Sequence, residues 1–325
     1  MKYHFVHCHL SIGVFLQTNN SFHCVTWSLF CSLKPEGITP QLSVLFEGKK
    51  MAVLSLDPQD LTISSEAAKA IGSKFSEPYQ SAEPYHHICI DNFLPMEVIE
   101  RVRQDVDSLP EAERSFDAAS EKLKSQYNPD RLPNYSRSLF HTFNSRPFLQ
   151  FLEEMTGIPG LIPDPYFFGA GIHKTLNGGY LNIHADFNLH KVMNLERRLN
   201  VLIYLNPPWK EEWGGSFEVW DKPMERKVAS FAPTENRMCC FSTGSDTWHG
   251  NPEPVNHPDG LPRLSLALYY YTATWHDGRV EHSTIFKPRP GTQDASAAAD
   301  RRHRLVQDML PPILHRKLAL SLIHI

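Results

Sequence analysis

The pattern of hydrophobic and polar positions changes near Pro165. Upstream of it the chain carries helical patterns and long polar stretches. Downstream it carries short alternating or apolar segments that are separated by turn-forming residues. Such segments are typical of strands joined by turns. The predicted strands cover residues 166–175, 180–184, 198–206, 216–221, 227–232, 236–242, 247–249 and 263–273.

The remaining pattern predicts helices on either side of these strands. The predicted elements are helices at 65–73, 96–109, 147–155 and 301–310, a strand at 87–91 and an irregular charged segment at 110–135. Because helices do not alternate with the strands after Pro165, a doubly wound fold is disfavoured. The predicted fold class is mainly β with flanking helices, and the strand spacing favours a jelly roll.

This pattern divides the chain into five predicted regions. Residues 1–50 have little charge or turn punctuation, and an ordinary protein start follows at Met51, so we expect 1–50 to be a non-native or disordered extension. The apolar residues 320–325 are expected to be foreign as well. The other regions are a lead-in segment at 51–84, a helical support region with a first strand at 85–165, a jelly-roll core at 166–290, and a C-terminal linker and helix at 291–325.

Charge and cysteine content narrow the partners and the compartment. With Lys+Arg 32 against Asp+Glu 36, the net charge of -4 gives no general attraction to nucleic acid or anionic membranes, so neither is expected as a partner. The apolar run at 10–16 is too short to span a membrane. The 6 cysteines include no CxxC pair, so we expect mostly buried, reduced thiols and a cytoplasmic location.

Two His-x-Asp segments carry the first candidate chemistry. Because the chain has 17 histidines, this pattern alone is weak evidence for a metal site. His257-Pro258-Asp259 is followed by glycine, and proline with glycine predicts a turn. His184-Ala185-Asp186 instead ends a predicted strand, where residues i and i+2 project to one face. The strand segment is therefore the candidate metal site.

His249 follows the predicted strand at 236–242 and is the candidate third ligand. Two imidazoles and one carboxylate on one face leave coordination positions open, an arrangement that suits non-haem Fe(II). A structural zinc site would need a fourth protein ligand, usually a thiolate, but Cys239 and Cys240 are strand neighbours that point to opposite faces. His184, Asp186 and His249 are predicted to be both the metal ligands and the catalytic residues.

The segment from Arg263 to Tyr269 alternates strictly and places Arg263 and Ser265 on one face. A buried charge must be paired, so an inward arginine indicates an anionic partner. A small dicarboxylate that reaches the metal would supply this partner, because arginine offers a bidentate fork and serine a neutral donor. Arg263 and Ser265 are therefore predicted to bind a cosubstrate.

The order His184-x-Asp186, His249 and Arg263-x-Ser265 resembles the 2-oxoglutarate- and Fe(II)-dependent oxygenases, and most closely their prolyl 4-hydroxylase-like branch. The resemblance covers roughly residues 85–290. It is supported by the segments 87–94, 202–206, 214–220 and 266–271. The resemblance implies a double-stranded β-helix core, one Fe(II) on the three ligands, and 2-oxoglutarate with its far carboxylate on Arg263.

The resemblance also implies an activity. Tyr204 matches a family tyrosine that hydrogen-bonds the same carboxylate, and Arg279 is a second candidate for the anchor. The family hydroxylates a C–H bond with O2 and releases succinate and CO2, and ascorbate is a further candidate cofactor. The expected substrate is a prolyl or other peptide or protein, with a small molecule as the other option. The segment 187–197, Trp209 and Trp213 are the candidate lid over the substrate.

Three other classes stay open at this stage. A non-catalytic jelly-roll binding module would be expected to lack one ligand or the anchor, and all are present. A cupin-like metalloenzyme needs no dicarboxylate anchor, so the Arg263-x-Ser265 pattern speaks against it. A nucleic-acid demethylase would be expected to carry a basic and aromatic cluster, and none is evident.

Overall fold

The computed structural model of the chain describes the backbone of residues 9–18 and 21–30 and then residues 51–110, 112, 114–276 and 278–294. The chain divides into two compact units, residues 1–50 and 51–325. In the first unit, strand β1 (His9–Thr18) pairs antiparallel with β2 (Ser21–Phe30). The predicted helix at 301–310 and the tag at 320–325 lie outside the described residues, and the predicted division into five regions stays a prediction.

The second unit begins with helices. They are α1 (Ser65–Lys74), α2 (Ser76–Gln80), α3 (Met96–Asp107), α4 (Asn134–Phe143) and α5 (Arg146–Thr156), with 3₁₀ turns at Pro129–Arg131 and Glu211–Trp213. The three helices predicted upstream correspond to α1, α3 and α5. Helix α1 starts where the Ser64 hydroxyl accepts a hydrogen bond from the amide of Ala67, and α5 ends at Gly157 in the left-handed region. None of the described helices is long and apolar enough to cross a membrane.

Most strands after α5 match the predicted strands, but the two strands predicted at 166–175 and 180–184 form one continuous strand that begins at Gly171. The strands of this unit are β3 (His87–Ile90), β4 (Arg114–Phe116), β5 (Glu121–Tyr127), β6 (Ile162–Pro163), β7 (Gly171–Ala185), β8 (Leu189–His190), β9 (Leu195–Tyr204), β10 (Phe217–Trp220), β11 (Lys227–Phe231), β12 (Met238–Ser242), β13 (His249–Asn251), β14 (Arg263–Thr272) and β15 (Ile285–Phe286).

Strand β7 belongs to two sheets and so defines the fold. Its first half, residues 171–175, pairs with β14, which leads on to β9, β12 and β3. Its second half, residues 181–184, pairs with β13, which leads on to β10 and β11. Gly178 permits the change of direction because it has φ +81°, where other residues are strained. With β7 counted in both, the first sheet has five strands and the second has four. Two such antiparallel sheets form a jelly roll, so the predicted double-stranded β-helix is confirmed.

The helices cover one face of the first sheet. On β9, Leu199, Val201 and Ile203 belong to the hydrophobic core that also contains the buried residues of α3, α4 and α5. The alternate residues Asn200 and Tyr204 face the space between the sheets, because neighbouring strand residues point in opposite directions. The same alternation on β14 turns the predicted leucine face to the helices. The face that carries Arg263 therefore points into the barrel.

Two further sequence predictions about this unit are wrong. The segment 110–135 is not irregular, because β4 and β5 form a hairpin that pairs with β7 along the barrel. The expectation of reduced thiols fails for one pair, since Cys89 and Cys239 lie opposite each other on β3 and β12 and form a disulfide. Cys240 is a buried free thiol, as expected. The cytoplasmic location stays an untested prediction.

Candidate active site

The three predicted ligands come together at the end of β7. His184 lies near the end of this strand, Asp186 follows it directly, and His249 begins β13 at the position paired with His184. One potential ligand atom from each residue lies within 4.8 Å of the other two. Among the described residues, this is the one group of three His, Cys, Asp or Glu side chains with that geometry.

Backbone carbonyls orient both imidazoles. Nδ1 of His184 donates to the carbonyl oxygen of Asn182 at 2.9 Å, and Nδ1 of His249 donates to that of Thr247 at 2.8 Å. A proton on Nδ1 leaves a lone pair on Nε2. The two Nε2 atoms lie 3.5 Å and 3.2 Å from the carboxylate oxygens of Asp186. Both lone pairs and the carboxylate thus converge on one point.

The electrostatics keep His249 and Asp186 in the forms that bind a metal. Burial, together with the neighbouring His184, lowers the pKa of His249, so its imidazole is neutral at pH 7. Burial alone would raise the pKa of Asp186, but the Arg197 guanidinium and the imidazoles hold that pKa well below its usual range. A neutral imidazole and an ionised carboxylate are the ligand forms that metal binding requires.

Two residues that the sequence reasoning did not select hold the carboxylate. The Asn200 amide donates to Oδ2 of Asp186 at 2.6 Å, and Nη2 of Arg197 lies 3.2 Å from the same oxygen. Arg197 and Asn200 both lie on β9 and are buried. The alternation of β9 places Asn200 on the inward face and was the one signal in the sequence for a role in the site. No local pattern predicts that Arg197 pairs with Asp186.

Arg263 lies in the barrel as predicted and is only 5% exposed. Its Nε donates to the carbonyl oxygen of Gly215 at 2.7 Å, and its Nη2 donates to the Tyr204 hydroxyl at 3.2 Å. Burial raises the pKa of Tyr204, so this phenol keeps its proton as a hydrogen-bond donor. Among the described residues no carboxylate lies within 4.0 Å of Arg263, so this buried cation lacks a protein counter-ion. Arg279 pairs instead with Glu196, which removes it as the anchor candidate.

One cavity of about 280 Å³ joins the ligand cluster to Arg263 and Ser265. Ser265 is paired across the sheet with Tyr204 on one side and with His173 on the other. His173 also lines the cavity, and burial lowers its pKa well below the ordinary histidine value. Sequence reasoning missed His173 because one histidine on a strand carries no local signal of this position.

The rim of the cavity corrects the prediction of the lid. Phe187 lines the cavity, in agreement with the predicted segment 187–197. Trp209 and Trp213 do not line it and pack against His257, with ring centroids 4.9 Å and 4.4 Å away. The cavity is also lined by residues of the unpredicted hairpin, namely Arg114, Phe116, Glu121, Lys124 and Gln126.

The donor set fits a ferrous ion. Two imidazoles with free Nε2 atoms and one ionised carboxylate form the facial arrangement that suits non-haem Fe(II) and leaves positions open to other ligands. A structural zinc site would be closed by a fourth protein ligand, and the cluster has none among the described residues. His184, Asp186 and His249 would hold the iron, and Arg263 with Tyr204 would bind the far carboxylate of 2-oxoglutarate.

Comparison with solved structures gives loose resemblances. A prolyl hydroxylase from Trichoplax adhaerens, solved with a hypoxia inducible factor peptide fragment, is 17% identical over 63% of this chain and 91% of its own, with a TM-score of 0.43. A prolyl-4-hydroxylase from Pseudomonas putida is 15% identical over 62% of this chain and 99% of its own, with a TM-score of 0.42. HygX from Streptomyces hygroscopicus, with nickel, 2-oxoglutarate and hygromycin B bound, is 11% identical over 60% of this chain and 86% of its own, with a TM-score of 0.42.

No curated protein matches the chain. The model of the 2OG-Fe(II) oxygenase superfamily matches residues 170–271, the segment that runs from β7 to β14. This segment contains all the predicted site residues, namely His184, Asp186, Tyr204, His249, Arg263 and Ser265. The predicted superfamily and enzyme class, and with them Fe(II) and 2-oxoglutarate, are confirmed by this match. The roles of the individual residues stay predictions. Over residues 170–271 the chain is therefore similar to the 2OG-Fe(II) oxygenase superfamily, in agreement with the resemblance of the sequence.

Proposed function

We propose that this protein hydroxylates a C–H bond of a prolyl or other peptide substrate and releases succinate and CO2. The observation that carries the proposal is that one cavity joins two features: the open face of His184, Asp186 and His249, and a buried Arg263 that has no counter-ion among the described residues. A metal site alone would not require the arginine. An anion site alone would not require the ligand cluster.

Different side chains of the cavity have different roles in the proposed reaction. His184, Asp186 and His249 hold the metal with their Nε2 and carboxylate atoms, and the carbonyls of Asn182 and Thr247 keep the two imidazoles oriented. When bound, Fe(II) and 2-oxoglutarate supply the oxygen chemistry that breaks the C–H bond. The protein supplies the position of both groups and a site whose side chains His184, His249 and Arg263 are buried.

Arg263 would hold the far carboxylate of the cosubstrate at a fixed place in the barrel. Its Nε is committed to the Gly215 carbonyl and its Nη2 contacts the Tyr204 hydroxyl, so the guanidinium is held in one orientation. A dicarboxylate that pairs with this guanidinium is directed along the barrel toward the ligand cluster. Charged hydrogen bonds of this kind are shorter and stronger than neutral ones, which favours an anionic cosubstrate over a neutral compound.

The rim of the cavity supports a peptide substrate. Phe168 is 54% exposed, lines the cavity and stacks edge-on against Phe187, with ring centroids 5.6 Å apart. Tyr166 is 58% exposed on the same loop. Exposed aromatic side chains at a cavity mouth are suited to bind a partner that extends beyond the cavity. A peptide can place one side chain in the cavity while its flanking residues lie on these rings.

The test is succinate formation from 2-oxoglutarate in the presence of Fe(II), O2 and a panel of proline-containing peptides and metabolites. We expect one peptide class to raise succinate formation and to gain one oxygen atom, measured by mass spectrometry. The Asp186→Ala chain is the matched control and should form neither product. Oxygen gain in a metabolite but in no peptide would overturn the peptide part of the proposal.

A second measurement separates the enzyme from its alternatives. Anaerobic addition of Fe(II) and then 2-oxoglutarate should give the weak visible charge-transfer band of this family. If no band forms and zinc is tightly bound instead, the cupin-like metalloenzyme becomes the better explanation. If neither metal nor 2-oxoglutarate binds, the jelly roll is a non-catalytic binding module.

A further inference from the structure

We propose that Arg197 and Asn200 are positioning residues that hold the Asp186 carboxylate in the orientation needed for metal binding. The inference rests on the proposed function only in taking Asp186 as a metal ligand. Neither residue belongs to the predicted ligand set or to the predicted cosubstrate anchor. Both come from β9, whereas Asp186 follows β7.

The three side chains form a closed network of hydrogen bonds. Nε and Nη2 of Arg197 donate to Oδ1 of Asn200 at 2.9 Å and 2.7 Å. The Asn200 amide then donates to Oδ2 of Asp186 at 2.6 Å, and Nη2 of Arg197 lies 3.2 Å from the same oxygen. These donors fix the plane of the carboxylate between the His184 and His249 imidazoles.

The environment of Arg197 explains why an arginine is needed. The residue is 2% exposed, and among the described residues Asp186 is the carboxylate with which it forms an ion pair. Its guanidinium lies over the rings of Tyr269 and Phe187, at 3.6 Å and 4.4 Å from the centroids. A planar, delocalised cation can stack on both rings and still donate to Asn200 and Asp186, which a lysine ammonium cannot do.

A purely structural ion pair would have a different consequence. If Arg197 only stabilised the barrel, its loss would lower the melting temperature and leave the metal site of the folded chain unchanged. If it positions Asp186, its loss changes metal affinity and ligand geometry in a chain that still folds. Partners that orient metal ligands typically contribute roughly 10- to 100-fold to metal affinity.

Arg198 provides a matched control on the same strand. It is the next residue on β9, is half-buried, and donates to the Thr272 hydroxyl at 3.2 Å. Arg198 does not line the cavity that holds the ligand cluster. Arg198→Met therefore removes the same charge from the same strand without removing a bond to Asp186.

The experiment titrates the full chain with Co(II), whose d–d absorption reports affinity and ligand geometry together. We expect Arg197→Met to weaken Co(II) binding about 10- to 100-fold and to change the absorption bands, whereas Arg198→Met matches the wild type. Arg197→Lys should recover only part of the affinity, because it restores the charge but not the fork. Circular dichroism checks that each variant is folded.

A folded Arg197→Met chain with wild-type Co(II) affinity and spectrum would overturn the proposal. If this variant does not fold, Asn200→Ala decides the question, because it keeps the ion pair and removes the 2.6 Å bond to Asp186. Unchanged Co(II) binding in Asn200→Ala would then overturn the proposal. A wild type that binds Co(II) with the predicted variant effects, but forms no succinate, would refute the proposed function and leave this inference standing.

Discussion

The chain contains the same three-residue pattern twice, and the two copies have opposite environments. His184-Ala185-Asp186 ends a strand, so both polar side chains project into the barrel. His257-Pro258-Asp259 lies in a turn that Gly260 closes with φ +71°. In the turn the His257 ring is buried against Trp209 and Trp213.

The difference extends to the ring nitrogens. Nδ1 of His184 donates to a carbonyl, which leaves Nε2 as a lone pair in the cavity. Nδ1 of His257 instead accepts a hydrogen bond from the amide of Asp259 at 3.2 Å, so the ring stabilises the turn. A His-x-Asp pattern therefore indicates a metal site only when its backbone conformation is known. A strand points the two side chains to one face, whereas a turn points them apart.

The largest expected effect comes from removing the acid of each copy. Asp186→Ala removes an anionic ligand, so Fe(II) affinity should fall by more than the roughly 10- to 100-fold typical of an outer partner, and hydroxylation should be lost. Asp259→Asn should leave both properties close to the wild type, because Asp259 lies in a turn away from the cavity. Anaerobic Fe(II) titration and succinate formation measure the pair. Equal losses in the two variants would show that the wrong copy was selected.

The cosubstrate anchor gives the next largest effect, because only the first copy shares its cavity with Arg263. Arg263→Leu leaves the far carboxylate of 2-oxoglutarate desolvated without its partner, which typically costs about 2–5 kcal/mol. The apparent affinity for 2-oxoglutarate should weaken by roughly 30-fold to a few thousand-fold, while Fe(II) binding persists. Arg263→Lys should recover part of the loss. The measurement is the dependence of succinate formation on 2-oxoglutarate, and an unchanged dependence in Arg263→Leu would remove this anchor.

Strand alternation made much of the site predictable from the sequence. The period of two residues placed Arg263 and Ser265 on one face of β14 and the leucines on the other, and the structure shows this arrangement. The same rule placed His184 and Asp186 together. Helices α1, α3 and α5 were predictable because their apolar spacing and end signals are local.

The missed features depend on contacts that are distant in sequence. The β4–β5 hairpin was missed because its charged residues show no regular alternation, and Leu123 interrupts β5 with φ +50°. Helix α4 was missed because its Asn, Ser and Thr residues are poor helix formers, and it is stabilised by burying Leu139 and Phe140 in the core. Arg197 acquires its role only when β9 pairs within the barrel near the end of β7.

Substitution of His257 and of His184 should have different consequences, and the effect of the His257 substitution should be the smaller. His257→Ala removes a buried ring from between two tryptophans, so the free energy of unfolding should fall by about 0.5–3 kcal/mol, while Fe(II) affinity stays at the wild-type value. His184→Ala should abolish Fe(II) binding. Denaturant unfolding of the metal-free chains and Fe(II) titration measure both properties. Weakened Fe(II) binding in a folded His257→Ala chain would contradict the assignment of His257 to the turn.

The smallest expected effect concerns Ser265, which lines the cavity between Tyr204 and His173 in the sheet register. Its hydroxyl is a neutral donor, and a neutral hydrogen bond contributes about 0.5–1.5 kcal/mol because water competes for the same groups. Ser265→Ala should therefore weaken the apparent affinity for 2-oxoglutarate about 2- to 12-fold, well below the effect of Arg263→Leu. His257→Ala serves as the control, since its ring lies outside the cavity and should leave this affinity unchanged. A loss in Ser265→Ala as large as that in Arg263→Leu would mean that the hydroxyl orients the arginine, and no loss would remove Ser265 from the cosubstrate site.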